Sequence, residues 1–252
     1  MNTVVCQQPN YFPWLGYLQQ CARADTFICL DTVQFLKQGR HNRSRVLPHP
    51  GASAPAGYQW LTVPVSSRQH QSRPLGAIEI DRTQDWSKRH WKTLESVYGR
   101  SPYFKSQLEP WIRPWLEGAR SFKTLLEASL GSVSLSCDLL GLRPRILLSS
   151  TLTESGTSTE RLVSLCQAVQ ATTYYSGIGS TYIDSQLFRD AGLELLWQRW
   201  KHPEYPQANH RGFRSHLSIL DALAFVPLGT IRDWLTISPF LPAPPPPMDS
   251  HR

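Results

Sequence analysis

Residues Val4–Gln20 read VVCQQPNYFPWLGYLQQ. The stretch opens as a buried strand and closes as the first turns of a helix. Thr3–Cys6 is a short apolar run, and Trp14–Ala24 carries apolar residues at 14, 15, 18, 21 and 22, the spacing of one helix face. A second apolar run, DTFICLD, follows at Asp25–Asp31. Strand, helix and strand in this short space make a βαβ unit, whose two strands should lie parallel. The junction between the first strand and the helix is unusual. Gln7, Gln8, Pro9, Asn10, Tyr11, Phe12 and Pro13 place three amides and two prolines where a plain loop would serve.

The alternation continues along the chain. Residues 36–58 are polar and rich in Gly, Pro, Arg and His, and read as a long loop. Tyr58–Val65 and Leu75–Ile80 read as two strands paired in an antiparallel insertion, and Thr83–Leu140 as a helical segment broken near Ser101-Pro102 and Gly118. Arg145–Ser149, Thr172–Ser176 and Leu193–Trp200 read as further strands, with helices at Ser158–Gln170 and Leu217–Phe225. The expected fold is α/β, with a mostly parallel sheet, a small antiparallel insertion and a helical segment. Residues 1–235 form the expected domain, and 236–252 a proline-rich tail that is extended or disordered.

Composition narrows the function. Of 252 residues, 26 are Lys or Arg and 19 Asp or Glu, a net charge of +7 that favours anionic partners. The basic residues form no run, which points to a small anionic ligand such as a nucleotide sugar and away from nucleic acid, charged tRNA as a donor excepted. Cys6, Cys21, Cys29, Cys137 and Cys166 are odd in number, lack a CxxC pair and sit in apolar segments, as expected of buried, reduced thiols in a cytoplasmic protein. No apolar window approaches the ~18 residues of a membrane span.

In a parallel sheet, ligands bind at the carboxyl ends of the strands. Gln7, Gln8, Asn10 and Tyr11 follow the first strand, Asp31 and Gln34 the second, Ser149 and Ser150 a later one, and Ser176 and Gly177 another. Side-chain amides both donate and accept, so Gln8 and Asn10 suit a polar ligand; they suit the capping of a helix equally well. Asp31 ends an apolar run, where a carboxylate needs a partner. Asn42 and the forked donors of Arg40, Arg43 and Arg45 lie on the long loop. They suit a phosphate or carboxylate ligand, or an ion pair with Asp31. SGIGS at 176–180 reads as an ordinary tight turn or as a close-approach loop with a helix starting at Thr181. In KHPEYPQ, His202 reads as a general base or as a surface histidine, with Tyr205 and Gln207 as orienting groups. The other histidines, His41, His49, His70, His90, His210, His216 and His251, show no metal spacing, and no metal site is expected. No GxSxG, Walker or GxGxxG motif occurs, and nothing names a cofactor.

Taken in order, QPNYFPWLGY, LDTVQF, NRSR, WLTVPV, YYSGIGS, HPEYPQ and FRSHLSILDAL resemble the WbqC-like family, over about residues 3 to 230. Family members occur in clusters for O-antigen, related polysaccharides and secondary metabolites, and a glycine transferase that decorates a sugar is one proposal for them. The resemblance therefore implies a transferase that joins glycine or another acyl group, from an aminoacyl or acyl donor, to an activated sugar. His202 or Asp31 would be its base, and Gln7, Gln8, Asn10, Tyr11, Gln34, Asn42, Arg43, Ser176, Gly177, Tyr205 and Gln207 its binding residues. One departure stands out: many members carry a histidine where this chain has Gln7. The first unit is also distantly similar to HUP-type nucleotidyltransferases, which implies a Rossmann- or HUP-like sheet, but the HxGH pair of that class is missing. An adenylate-forming ligase and a non-catalytic sugar-nucleotide-binding protein are the alternatives.

Overall fold

The computed structural model describes residues 2–36, 39–66, 73–177, 179–180, 182–208 and 212–236. Its elements in chain order are β1 (Thr3–Gln7), α1 (Leu15–Arg23), β2 (Thr26–Cys29), β3 (Arg43–Val46), β4 (Gln59–Thr62), α2 (Trp86–Tyr98), α3 (Glu109–Gly118), α4 (Leu125–Leu140), β5 (Arg145–Leu148), α5 (Ser158–Ala168), β6 (Thr173–Ser176), α6 (Ser185–Asp190), β7 (Glu194–Trp197), α7 (Ile219–Phe225) and α8 (Leu228–Thr236). Five strands form one sheet in the order β5-β2-β1-β6-β7, and every neighbouring pair is parallel. The chain winds outward from β1 through β2 to β5, then returns to the other side of β1 for β6 and β7. That reversal places a topological switch point between β1 and β6.

The central strands β1, β2 and β6 are buried on both faces, and side-chain alternation sorts their residues. Val5, Phe27, Cys29 and Tyr175 join the larger core with Leu15 and Leu18 of α1, Val133 and Cys137 of α4, Leu220 of α7 and Ile231 of α8. Val4, Cys6, Ile28 and Tyr174 point the other way, onto Leu162, Leu165 and Cys166 of α5 and Phe188 of α6. All five cysteines are buried and unpaired. Among the described residues, no helix is long and apolar enough to cross a membrane.

Several expectations need correction. The long loop at 36–58 contains a strand, β3, and β3 rather than Leu75–Ile80 is the antiparallel partner of β4. Arg43-Ser44-Arg45-Val46 alternates as a strand should, with Ser44 and Val46 buried, but its two arginines disguise it as loop. The expected pairing of the 58–65 and 75–80 segments is reduced to a single bridge, Val65 to Ile80, and Leu75–Ala77 is a 3-10 turn. The helix after β6 is α6, which begins at Ser185 and is capped by Asp184; the expected start at Thr181 lies outside the described residues, and α8 was not anticipated. Residues 237–252, the proline-rich tail, lie outside the described residues.

The junction after β1 is fixed by its own backbone. Phe12 is 1% exposed and has φ 39, a left-handed conformation that a bulky side chain seldom adopts. Both of its peptide groups are held: the N–H donates to Ser132 Oγ of α4 at 2.8 Å, and the carbonyl accepts from Ser44 Oγ of β3 at 2.8 Å and Ser218 Oγ, just before α7, at 2.9 Å. Removing the Ser132 hydroxyl leaves a buried N–H unpaired. We expect Ser132→Ala to lose about 1–3 kcal/mol in urea unfolding, with Ser134→Ala as the near-neutral control; equal effects would show that the Phe12 bond is not the cause.

Candidate functional site

The parallel order brings the carboxyl ends of all five strands to one edge. At the switch point, side chains fill much of the space. Gln7 Nε2 donates to Gln20 Oε1 at 2.9 Å, and Gln20 Nε2 to Gln198 Oε1 at 3.0 Å. Gln198 Nε2 donates to Gln19 Oε1 at 2.7 Å, and the Tyr175 hydroxyl donates to the same oxygen at 3.0 Å. Four amides and a phenol thus satisfy one another between α1 and the sheet, and Gln7 belongs to that relay. Ser176 is fully buried, and its carbonyl accepts from the Gln198 N–H. Gly177 lies against the relay, where an added Cβ would sit 3.0 Å from Gln20 Nε2 and 3.2 Å from Gln7 Nε2. Close approach, rather than an unusual φ, is what calls for glycine there.

Next to the relay, the junction displays its amides. Gln8 and Asn10 are half-buried, and among the described residues their side chains make no hydrogen bond; only their carbonyls are used, accepting from Tyr17 Oη at 3.0 Å and Ser132 Oγ at 3.4 Å. Tyr11, by contrast, belongs to the core. It is 1% exposed, and its hydroxyl donates to His90 Nδ1 at 2.9 Å. Burial pushes His90 down to about 4, so the ring is neutral and its Nε2–H donates to the Thr62 carbonyl. Gln34 is exposed and bridges Pro74. Beneath the junction, His41 Nδ1 faces the Pro9 carbonyl at 3.3 Å, and Asn42 Nδ2 donates to the Val63 carbonyl at 3.1 Å. His41 Nε2 and Asn42 Oδ1 are buried without a partner among the described residues.

Asp31, just beyond β2, is 6% exposed and, among the described residues, pairs with no arginine. Its Oδ1 accepts from Ser149 Oγ at 2.9 Å and the Ser150 N–H at 3.0 Å, both just beyond β5. Oδ2 takes no hydrogen bond among the described residues. Thr32 beside it contacts Ser149 and Glu154, and Arg161 of α5 donates to Thr32 and pairs with Glu154 at 2.7 Å.

The arginines lie on the other flank. On the β3–β4 ribbon, the Arg43 guanidinium stacks on Trp60 at 4.2 Å, and that of Arg45 on Tyr58 at 4.4 Å and Trp60 at 5.1 Å. Trp14, at the start of α1, is stacked on His202 with centroids 6.3 Å apart and lies 4.8 Å from His216. His202 also meets Trp200, Tyr205 and Phe213. Burial holds it below the ordinary imidazole range, and the neutral ring donates Nδ1–H to the Pro203 carbonyl at 2.9 Å. That tautomer leaves a lone pair on Nε2, which is buried without a partner. Asp31 and His202 are not brought together. They follow β2 and β7, which stand three strand spacings apart in the sheet order, about 14 Å.

A buried acid escaped the sequence reading. Asp221 of α7 is fully buried and accepts from Tyr98 Oη at 3.0 Å, Tyr205 Oη at 2.8 Å and Gln207 Nε2 at 2.6 Å. Tyr205 and Gln207 are therefore held by this carboxyl. The only hint in the sequence was an aspartate inside the apolar run LSILDAL. Among the described residues, no group of three metal-ligating side chains occurs. A cleft of about 310 Å³ lies between α2 and α3, lined by Lys88, Trp91, Lys92, Arg113 and Arg120 among others, and includes no residue of the sheet edge.

Burial raises Asp221 to about 6, against the hydrogen bonds of Tyr205, Gln207 and Tyr98, which lower it. The stability it contributes is full below the ordinary carboxyl range and is lost as pH rises toward about 6, roughly 3 kcal/mol in all. His90 runs oppositely, since its stabilisation is lost as pH falls from the ordinary imidazole value to about 4. The two partly cancel, so the wild-type profile alone would hide both. Subtracting the wild type from Asp221→Asn in chemical unfolding isolates the acid. The variant should gain on the wild type as pH rises from about 4 to 6; a flat difference would contradict the raised carboxyl.

The architecture is that of a Rossmann-like α/β protein with polar loops gathered at the switch-point edge. The WbqC-like protein family profile matches residues 8–232, nearly the whole chain, and the chain belongs to that family. It is also 33% identical, over 226 residues, to an uncharacterized protein of Mycobacterium tuberculosis, covering 88% of this chain and 93% of the relative. No solved structure matches it.

Proposed function

We propose that this chain is a transferase that joins a small amino acid such as glycine, or another acyl group, to an amino or hydroxyl group of an activated sugar. Its setting would be the synthesis of a bacterial surface polysaccharide or secondary metabolite, in the cytoplasm. What supports this reading is Asp31: a carboxylate at the edge of a parallel sheet, with Oδ1 held by Ser149 and Ser150 and Oδ2 without a donor among the described residues. On this reading the sugar nitrogen or oxygen bonds to the acyl carbon of the activated donor, Oδ2 takes the proton it loses, and the donor's carrier leaves. Gln8 and Asn10, whose amides are unengaged among the described residues, read the sugar hydroxyls, and the arginines of β3 hold its anionic part. Confining donor and acceptor between these groups supplies much of the rate enhancement. His202 is the weaker candidate for the base, because its free nitrogen is enclosed by rings.

The test is a transfer assay. Purified protein is incubated with nucleotide amino sugars and, in turn, glycine with ATP, glycyl-tRNA and acyl thioesters, and products are read by mass spectrometry as gain of one glycyl or acyl unit. Asp31→Asn should lower kcat on the order of a hundredfold or more, while thermal-shift binding of the nucleotide sugar persists. An unchanged kcat would remove Asp31 from the reaction. Pyrophosphate release from ATP with no sugar present would favour an adenylate-forming ligase instead.

A further inference from the structure

The guanidinium groups beside the junction are more numerous than one carboxylate would need. Among the described residues, Arg40 donates only to the His216 carbonyl, at 3.2 Å. Arg45 lies between the Tyr58 and Trp60 rings, with Nε buried and unpartnered. Arg214 lies so close to Gly57 that a methyl there would overlap its guanidinium, and its Nε is also buried and unpartnered. Gly57 adjoins Tyr58, so Arg214 packs on the turn that leads into the residue on which Arg45 stacks. His216 is exposed at φ 59. Burial, Arg40 and Arg45 together hold its imidazole below the ordinary range, and Arg45 in turn acts on Arg40, which places the three groups within mutual reach. Among the described residues, no carboxylate forms an ion pair with Arg40, Arg45 or Arg214.

We propose that Arg40, Arg45, Arg214 and His216 form a cradle for the diphosphate of a nucleotide-linked substrate. The proposal rests on the reading of the substrate as an activated sugar and identifies how it is activated. Gathering like charges with unmet buried donors is unfavourable in the free protein, and an anion with many oxygens removes both penalties at once. One carboxylate matches a single guanidinium fork, whereas two linked phosphates can engage three. Trp14, half-buried and 4.8 Å from His216, lies beside the cradle. A nucleic-acid strand fits less well. The Tyr58 and Trp60 faces that would stack on bases are already covered by Arg45 and Arg43.

Titration calorimetry of the whole chain with sodium pyrophosphate, uridine diphosphate and uridine tests this. Pyrophosphate and uridine diphosphate should bind and uridine should not. Arg45→Met and Arg214→Met should each weaken both by about tenfold or more, with the melting temperature checking that the variants fold. Arg45→Lys, the conservative change, should lie in between, and Lys88→Ala in the α2–α3 cleft should change nothing. Equal affinity in wild type and both methionine variants would overturn the cradle. So would binding of an RNA oligonucleotide more tightly than uridine diphosphate, with a steep salt dependence. The transfer assay separates the two proposals. Transfer with unchanged KM in both methionine variants would sink the cradle alone, and Arg45-dependent pyrophosphate binding without transfer from any donor would sink the transferase alone.

Discussion

Much of this structure depends on one strained residue. Phe12 holds a left-handed backbone inside the protein, a conformation that costs on the order of 1–2 kcal/mol for a non-glycine residue. It persists because its peptide groups are gripped by Ser132, Ser44 and Ser218, and because its buried ring meets Tyr11 at 4.8 Å and Trp115 at 5.1 Å. The three serines come from α4, β3 and the start of α7, so one residue ties three distant segments to the end of β1. The reversal at Phe12 sends the aromatic side chains of Tyr11 and Phe12 into the core and leaves Gln8 and Asn10 half-exposed at the sheet edge. A glycine at position 12 would adopt the same φ more easily but would give up the packing that fixes the turn.

Around this junction the interior is unusually polar, and it is tolerated because the groups satisfy one another. The relay of Gln7, Gln20, Gln198, Gln19 and Tyr175 closes the switch point, and the hub at Asp221 collects Tyr98, Tyr205 and Gln207 without a cation. Both are costly to break, because removing one member leaves the others buried and unpaired. They also act at a distance from their own residues. Asp221 holds Tyr205, which packs against His202 and Phe213, so a buried acid in α7 sets the floor beneath the aromatic cluster that contains Trp14.

The parts of the fold that were legible in the sequence were those where burial writes a simple pattern. β1 and β2 are apolar on both faces and stand out as runs; α1 shows a helical stripe, and the parallel βαβ follows from them. β3 was illegible because its exposed face is arginine, and arginine on a ribbon is stabilised by Tyr58 and Trp60, residues more than a dozen positions away. Of the candidate site, the meeting of the loops was legible and the partners of their side chains were not. Strand-end loops do converge, but a sequence shows that a residue is an amide or a phenol without showing its partner. Gln7, Tyr11, Tyr205 and Gln207 have the chemistry of ligand-reading groups, yet their partners are Gln20, His90 and Asp221, brought by the fold from elsewhere in the chain. Arg214 was invisible as a candidate because its companion is a glycine.

The separation of Asp31 from the arginines is itself informative. Asp31 stands with Ser149 and Ser150 on the β2–β5 side of β1, whereas Arg40 reaches the junction through its carbonyl, which accepts from the Tyr11 N–H at 3.0 Å, and so stands by the start of α1. A base lying next to a diphosphate would compete with it, since a carboxylate and a phosphate repel and each raises the other's proton affinity. On the proposed reading, keeping them apart removes that conflict. The neutral amides of Gln8 and Asn10 stand at the end of β1 between the two, where uncharged donors and acceptors suit a sugar better than either charge would. On the proposed reading, the sugar spans the junction, with its diphosphate anchored at one end and its reacting group at the other. The acyl donor would then enter on the Asp31 side, over the ends of β2 and β5.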